Sequence, residues 1–393
     1  MAQQQGPSIP LIKADMPPMD AVQDAFREIM ANGRITNFGR YLQQFEGEIG
    51  EYLGTNACCL SSATAGLIMT MQALDIPRGS RVVIPSFTFV ATAQAVLYAG
   101  CTPVFVDVAN DGNADLDDLA RVLRGTPNVG AVILVHMYGL PCRTDQVETI
   151  VKLEEARRNQ RIPVLYDGAH AFGSSRNGVR VGGSGHAEIF STSVTKVMTS
   201  VEGGIVSTHD TALIEKLRKM RNYGIFANYD AHFPGLNGKM SEFHAIVGIH
   251  NLRLLDARLE ARKQKAAFYT KQIQALTSFR AMTAPSGVLS TYKDYTIQLP
   301  PGLKSSRDAI MASLAARGIE TRAYFYPPVH EQKFFRSFAD RPLPMTEDLS
   351  RRVITLPFSS TITEPEMKTV AEALAQAEAV AMKQASKQQE VRA

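Results

Sequence analysis

Residues 163–170 have the sequence PVLYDGAH, and residues 187–196 have the sequence AEIFSTSVTK. Each segment begins with an apolar run of strand length and ends in polar side chains. Apolar runs without polar alternation are typical of parallel strands that are covered on both faces. Because ligands bind at the carboxyl ends of such strands, we expect Asp167 and Lys196 to lie at one functional edge of a sheet.

The same alternation of short apolar strands and helical segments extends from about residue 55 to residue 210. It predicts an α/β domain built on a parallel sheet. Asp115 is expected to cap its helix, and Asn177-Gly178 predicts a hairpin turn. The predicted strands are 57–60, 81–85, 103–107, 131–135, 163–166, 187–191 and 204–208, and the predicted helices are 64–74, 91–98 and 115–123.

The pattern changes after Ser241, where the sequence predicts a long helix to about Leu276. Further elements are predicted at 294–299 (strand), 306–317 (helix), 319–323 (strand) and 364–381 (helix). These elements indicate a second, smaller α+β domain. We therefore expect a large domain over 1–255, with an N-terminal arm over 1–25, a small domain over 256–385, and a frayed tail over 386–393.

Composition excludes several function classes. The 393 residues are 45% hydrophobic and 20% charged, which is ordinary for a soluble protein of roughly two domains. The net charge of +4 is too small and too evenly spread to indicate nucleic-acid binding. The four cysteines have neither metal-site nor disulfide-framework spacing. Neither a signal peptide nor an apolar run near ~20 residues is visible. We expect a cytoplasmic protein with no metal, membrane or nucleic-acid partner.

Lys196 and Asp167 together suit one cofactor, pyridoxal 5′-phosphate (PLP). PLP needs from a protein a lysine that tethers it and a group that tunes its pyridine nitrogen. Lys196 would hold PLP as a Schiff base and, once released, would move protons as a general base. Asp167 would keep the ring nitrogen protonated, because an opposite charge favours the charged form. For either residue alone, the alternative is a solvated loop lysine or a helix-capping aspartate.

A phosphate site and a stacking ring are also present in the sequence. Ser62, Ala63 and Thr64 follow a predicted strand and open a helix, where free N–H groups and the helix dipole favour a phosphate. Ser191 could add a hydroxyl. The alternative for a serine in this position is an ordinary N-cap. Residues 85–90 carry two phenylalanines that could cover the pyridine face, with core packing as the alternative.

Jointly these motifs resemble the PLP-dependent sugar aminotransferases of the DegT/DnrJ/StrS type, within fold type I. The resemblance covers almost the whole chain, and a motif gains weight when its strand–loop–helix context agrees. It rests on residues 60–66, 85–92, 166–173, 190–196, 202–204, 221–224, 235–242 and 324–330.

The resemblance implies a large domain with a mostly parallel seven-stranded sheet and a smaller α+β C-terminal domain. It implies that Phe89 is the stacking ring and that His170 lies near the cofactor ring. It also implies that Asn237 reaches the cofactor phosphate of the neighbouring subunit, and hence a homodimer with shared active sites. The implied cofactor-binding residues are Ser62, Ala63, Thr64, Phe89, Asp167, His170, Ser191, Lys196 and Asn237.

Residues 324–330 are similar to the family segment that lines the sugar-nucleotide pocket. The candidate substrate contacts are Lys239, Tyr324, Tyr326 and His330. For the two tyrosines and the histidine, the alternative is small-domain packing around a proline-rich turn. For Lys239, it is a solvated or structural charge.

The implied activity is transfer of an amino group from L-glutamate or glutamine to a keto-sugar. The expected acceptor is a nucleotide-linked 3- or 4-keto-6-deoxyhexose, used in amino-sugar biosynthesis for a polysaccharide or an antibiotic. Lys196 favours transamination, because dehydratase relatives carry histidine at its position. Ser193 departs from the family's usual aromatic residue or histidine, so a keto-cyclitol or other non-nucleotide ketone is an alternative. A non-catalytic PLP-fold regulatory protein is an alternative of another class.

Overall fold

The computed structural model describes residues 9–390, with side chains through residue 386. Residues 1–8 and tail residues 391–393 lie outside the described residues. The expectation of no signal peptide and the first part of the expected arm depend on residues 1–8. The helices are Gln23–Asn32 (α1), Arg40–Leu53 (α2), Ala63–Ala73 (α3), Val90–Tyr98 (α4), Leu116–Gly125 (α5), Thr144–Arg158 (α6), Thr211–Met220 (α7), Glu242–Arg253 (α8), Leu255–Leu276 (α9), Arg307–Ala315 (α10), Pro344–Arg352 (α11) and Glu364–Glu390 (α12). The strands are Asn56–Leu60 (β1), Arg81–Pro85 (β2), Thr102–Val106 (β3), Val129–Val135 (β4), Val164–Asp167 (β5), Ser175–Arg176 (β6), Val179–Arg180 (β7), Ala187–Ser191 (β8), Gly204–Thr208 (β9), Arg280–Ala281 (β10), Val288–Leu289 (β11), Tyr295–Gln298 (β12) and Val353–Leu356 (β13).

The main sheet has seven strands in the order β1-β9-β8-β5-β4-β2-β3. The contiguous strands β8, β5, β4, β2 and β3 are parallel, whereas β9 runs antiparallel to both of its neighbours. The expected mostly parallel seven-stranded sheet is therefore confirmed. Asp167, the last residue of β5, is paired in register with Val135 and Ile189.

The strands are apolar on both faces because helices cover the sheet on both sides. β4 is buried along its whole length. Ile133 packs with residues of α3, α4 and α7, whereas its neighbour Leu134 packs with residues of α5 and α6. Burial on both faces is the reason that these strands lack polar alternation. All four cysteines are buried free thiols.

A smaller unit follows, built on the antiparallel sheet β10-β12-β13. It has its own apolar core, to which α9, α10 and α12 contribute. The expected boundary between residues 255 and 256 falls at the start of α9, and we keep the division into 1–255 and 256–385 as a proposal. Within the described residues, no helix combines the length and the apolar composition that crossing a bilayer requires.

Several local predictions hold. The Asp115 carboxylate caps α5 by accepting the N–H of Asp118 at 2.8 Å. Asn177 and Gly178 have φ values of 51° and 80° and join β6 to β7, which is the backbone that a tight hairpin turn requires.

Three predictions need correction. The long helix predicted over 241–276 is two helices, α8 and α9, which meet at Leu254. The strand predicted over 319–323 does not form: Ile319 and Arg322 make single bridges to two different segments, so no ladder develops. The last helix continues to Glu390 rather than ending at 381, so residues 386–390 of the expected frayed tail are helical. Its run of alanine, glutamine and lysine has high helix propensity.

Candidate active site

A cavity of about 310 Å³ lies at the carboxyl ends of β5 and β8 and at the start of α3. The smaller unit closes it with Lys293, Asp294, Tyr324 and Phe325. Eight of the nine predicted cofactor residues line it, and the ninth, Asn237, does not. The eight are Ser62, Ala63, Thr64, Phe89, Asp167, His170, Ser191 and Lys196.

The carboxylate of Asp167 is fixed by two hydrogen bonds at the floor of this cavity. The Thr92 hydroxyl donates to Oδ2 at 2.7 Å, and the N–H of Ala169 donates to Oδ1 at 3.1 Å. Burial raises the pKa of Asp167 above its usual range, while these hydrogen bonds and the charge of Lys196 oppose the rise. A buried carboxylate under these opposing influences becomes more stable in its ionised form when a cation lies beside it.

Lys196 lies in a loop whose hydroxyl groups are used to hold the backbone. The Thr192 and Ser200 hydroxyls are 2.6 Å apart, and the Thr199 hydroxyl donates to the Thr192 carbonyl at 3.2 Å. Asn251 of α8 donates to the Thr199 carbonyl at 2.7 Å. These contacts explain why the loop is rich in serine and threonine, and they fix where the lysine side chain enters the cavity.

The amine of Lys196 is easier to deprotonate than an ordinary lysine. Burial, followed by the positive charge of Lys293, lowers the pKa of Lys196 to about 8. The neutral amine, which is the form that attacks a carbonyl carbon, is therefore populated near neutral pH.

This pKa predicts a pH dependence for the protein without cofactor. Because the lowered pKa places deprotonation near pH 8, the rate of covalent PLP uptake should rise with pH and reach half its maximum at about pH 8. Stopped-flow absorbance of the apoprotein mixed with PLP measures this rate. A midpoint near the value of an exposed lysine, about 10.4, would contradict it.

Ser62 is an N-cap residue, which was the alternative interpretation of its sequence position, and it also lines the cavity. Its hydroxyl caps α3 by accepting the N–H of Ala65 at 3.1 Å. Ala63 and Thr64 form the first turn of the helix, where N–H groups lack intrahelical partners. This end of the cavity therefore suits an anion such as phosphate.

Gly204 permits a close approach between β9 and the start of α3. A Cβ atom at residue 204 would lie 2.3 Å from the carbonyl carbon of Ser62 and 2.4 Å from the nitrogen of Ala63. Both atoms are backbone, so no side-chain rotation would relieve the contact.

We therefore expect Gly204→Ala to displace the first turn of α3 and to weaken PLP binding by about fivefold to a hundredfold, because overpacking of this kind costs about 1–3 kcal/mol. Fluorescence titration of the apoprotein with PLP measures the affinity. Gly125→Ala is the matched control, because a Cβ at that position meets no atom within 4 Å. Equal PLP affinity in both variants would contradict the prediction.

Of the two phenylalanines, Phe89 is the one at the cavity. Its side chain is 58% exposed, and its ring centroid lies 6.1 Å from that of Phe325. Phe87 is fully buried in the core. The ring of His170 also stacks on Phe325, and its Nδ1 lies 3.7 Å from Oδ2 of Asp294. Burial and the charges of Lys196 and Lys293 hold the pKa of His170 well below its usual range, so the ring is neutral.

Among the four candidate substrate residues, Tyr324 alone lines the cavity in the described chain. Lys239 donates to Oδ1 of Asn222 at 3.2 Å. The ring of Tyr326 lies 4.1 Å from the guanidinium carbon of Arg307. His330 is buried, with its Nδ1 2.6 Å from the Ser86 hydroxyl. The last three thus have structural contacts outside the cavity.

Two charged cavity residues, Lys293 and Asp294, lie outside every motif singled out in the sequence. They are adjacent and immediately precede the apolar strand β12, but nothing in the sequence indicates that they reach the cavity. Phe325, by contrast, lies within residues 324–330, the segment whose resemblance implied a role in lining the substrate pocket.

The chain is similar to several known proteins along most of its length. The family model described as "DegT/DnrJ/EryC1/StrS aminotransferase family" matches residues 19–375. A GDP-perosamine synthase from Caulobacter vibrioides is 32% identical over 378 residues, which cover 94% of this chain and 98% of that protein. A UDP-N-acetyl-3-dehydro-alpha-D-glucosamine 3-aminotransferase from Acidithiobacillus ferrooxidans is 34% identical, covering 79% of this chain and 81% of that protein. Among solved structures, DesI in the presence of its TDP-sugar product is 28% identical, with a TM-score of 0.88 and coverage of 100% of this chain and 97% of that one.

Proposed function

The chain belongs to the DegT/DnrJ/EryC1/StrS aminotransferase family, and from this premise we propose that it aminates the ketone of a nucleotide-linked sugar, with L-glutamate or glutamine as the amino donor. It is a PLP-dependent aminotransferase. The observation that carries the proposal is the convergence of Lys196 and Asp167 on one cavity. The acceptor class is supported by the relatives, which bear the names of enzymes of nucleotide-linked amino sugars.

The side chains of the cavity fit the cofactor chemically. Ser62, Ala63, Thr64 and Ser191 offer N–H and hydroxyl donors for its phosphate. Asp167 is a buried carboxylate whose pKa is raised by burial, so it gains from pairing with a protonated pyridine nitrogen. Bound PLP supplies an electron-withdrawing ring that stabilises negative charge on the carbon bearing the amino group.

Lys196 has two tasks. Its neutral amine attaches the cofactor, and after a substrate amine displaces it, its Nζ can take the proton from the amino-bearing carbon. The same atom would return that proton to the former aldehyde carbon of the cofactor, so one group would serve as base and then as acid. A pKa of about 8 suits this work, because proton transfer is most efficient when the pKa of the catalyst lies near the working pH.

The remaining cavity residues orient and shield the reactants. Phe89 can cover one face of the cofactor ring, and the neutral His170 can offer a hydrogen bond at the ring edge without adding a charge. The Thr88 hydroxyl lies 2.9 Å from the hydroxyl of Thr92, which itself donates to Asp167, so the carboxylate is held by a short chain of donors. Tyr324, on the cavity wall that the smaller unit supplies, is the candidate contact for the sugar.

Absorbance of the purified holoenzyme tests this function. The visible band of the bound cofactor should disappear on addition of glutamate and return on addition of a nucleotide-linked keto-sugar. Return of the band with a keto-cyclitol alone would show that the acceptor is a carbocyclic ketone rather than a nucleotide-linked sugar. Ser193, a small side chain that lines the cavity, supports this alternative. Absence of any change with any amino donor would contradict transamination.

We also propose that two copies of the chain share their active sites. Asn237 is exposed on the loop that follows α7 and does not line the cavity of its own chain, and Phe89 is largely exposed at the mouth of that cavity. Both features fit a site completed by a second copy. Mixing the Lys196→Ala and Asn237→Ala proteins tests this proposal: hybrid dimers would regain activity in one of their two sites.

The buried free thiols suit a reducing compartment, and we propose a cytoplasmic location.

A further inference from the structure

Lys293 and Asp294 bring a buried ion pair to the wall of the active-site cavity. Nζ of Lys293 lies 2.7 Å from Oδ1 of Asp294, and the two side chains are 5% and 1% exposed. Both residues line the cavity that contains Lys196 and Asp167. They precede β12, so the smaller unit supplies them, whereas the predicted cofactor residues in the cavity come from the large unit.

The hydrogen-bonding capacity of this pair is only partly used. A lysine ammonium has three N–H donors. In the described part of the chain, Nζ of Lys293 has one hydrogen-bond partner, Asp294, and it lies 5.7 Å from the ring centroid of Tyr324. Oδ2 of Asp294 is buried and has no hydrogen-bond partner. Unmet donors on a buried charge are costly, so they indicate a group that arrives with a ligand.

The charges around the cavity indicate what that ligand carries. Among the described residues that line it, the cations are Lys196 and Lys293. Lys196 is committed to the cofactor and to proton transfer. An amino-acid donor brings at least one carboxylate into the site, and an anion entering a cavity already lined by Asp167, Glu202 and Asp294 needs a cation to receive it.

We propose that Lys293 binds a carboxylate of the amino donor and that Asp294 holds its ammonium in position. This inference rests on the proposed transamination. Lysine is suited to such a role because its ammonium acts as a point charge with rotatable donors, and can contact Asp294 and a second carboxylate at once. When no donor is bound, Asp294 neutralises the ammonium, so a neutral sugar ketone can enter the same space in the second half-reaction.

The two half-reactions provide the test, because only one of them involves the donor. Single-turnover absorbance measures donor saturation with the PLP form and acceptor saturation with the pyridoxamine form. For Lys293→Met, the donor concentration at half-saturation should rise about tenfold to a hundredfold, the range expected for loss of a charge-assisted hydrogen bond. Acceptor saturation should change less than about twofold. Lys293→Arg, which keeps the charge, should recover most of the donor affinity.

Two further variants keep the test independent of folding. Lys293→Met leaves Asp294 buried without a partner, so the double variant Lys293→Met/Asp294→Asn removes both charges at nearly constant volume. It should show the same selective loss of donor affinity. Lys271→Met is the matched control, because Lys271 is an exposed lysine of the smaller unit on α9. It should leave both half-reactions unchanged.

Each of the other possible outcomes contradicts either this inference or the proposed function. A loss confined to the acceptor half-reaction would assign Lys293 to the acceptor, for example to its diphosphate, and overturn the inference. Unchanged donor saturation, or equal losses in both halves, would overturn it as well. Failure of the wild-type protein in both half-reactions would contradict the proposed function itself, which distinguishes the two failures.

Discussion

Replacing Lys196 with alanine is expected to lower amination turnover by about 10⁴-fold or more, because in the proposed mechanism one substitution removes both the covalent attachment and the general base. The fold should persist. The surrounding loop is held by Thr192, Thr199 and Ser200 rather than by the lysine side chain. Turnover with glutamate and a nucleotide-linked keto-sugar measures the effect.

Lys271→Ala is the control for the charge change, because it truncates an exposed lysine in the same way. Thermal denaturation of the apoproteins should show no loss of stability in Lys196→Ala, because a partly buried amine with a lowered pKa is unfavourable to the folded state when protonated. Retention of more than about 1% of wild-type turnover by Lys196→Ala would contradict the assigned role, since the general-base contribution alone is about 10²–10⁴-fold.

Replacing Asp167 with asparagine is expected to lower turnover by roughly 10²–10⁴-fold, because the residue loses the charge that we propose keeps the pyridine nitrogen protonated. Asparagine has nearly the same shape: its Oδ1 can still accept the N–H of Ala169, while its Nδ2 would donate to the Thr92 hydroxyl, which donates to Oδ2 in the wild type. The loss should therefore arise from the electronics of the bound cofactor rather than from its position. Steady-state turnover measures it, and the absorbance of the bound cofactor should shift in parallel.

Asp117→Asn offers the matched control, because Asp117 is an exposed residue of α5 far along the chain from the site. Stability supplies a further readout. Burial raises the pKa of Asp167, so the ionised carboxylate is a cost to the folded apoprotein, and Asp167→Asn should be at least as stable as the wild type at neutral pH. An Asp167→Asn protein with near-normal turnover would show that the carboxylate does not tune the cofactor.

The main sheet and the floor of the cavity could be predicted from the sequence because their signals are local. An apolar run of strand length ends at Asp167, and another ends just before the loop of Lys196. Parallel strands bring their carboxyl ends to one edge, so two residues far apart in sequence are brought together by topology alone. Ser62, Ala63 and Thr64 follow from the same rule.

The wall supplied by the smaller unit could not be predicted in this way. Tyr324 and His330 belong to one continuous motif, yet Tyr324 lines the cavity while His330 turns to the Ser86 hydroxyl in the core. Lys293 and Asp294 reach the cavity because the smaller unit packs over the strand ends, and no sequence periodicity reports that contact. The break at Leu254 in the helix predicted over 241–276 could not be predicted either, since both halves have helical patterns.

The attachment point of the cofactor is the most direct test of the whole account. Reduction of the holoenzyme with borohydride followed by peptide mass mapping identifies the lysine that carries PLP. The account predicts the added mass on the peptide that contains Lys196, and its loss when glutamate is added before the reductant. A label on Lys293, the other lysine of the cavity, or the absence of any label would contradict it.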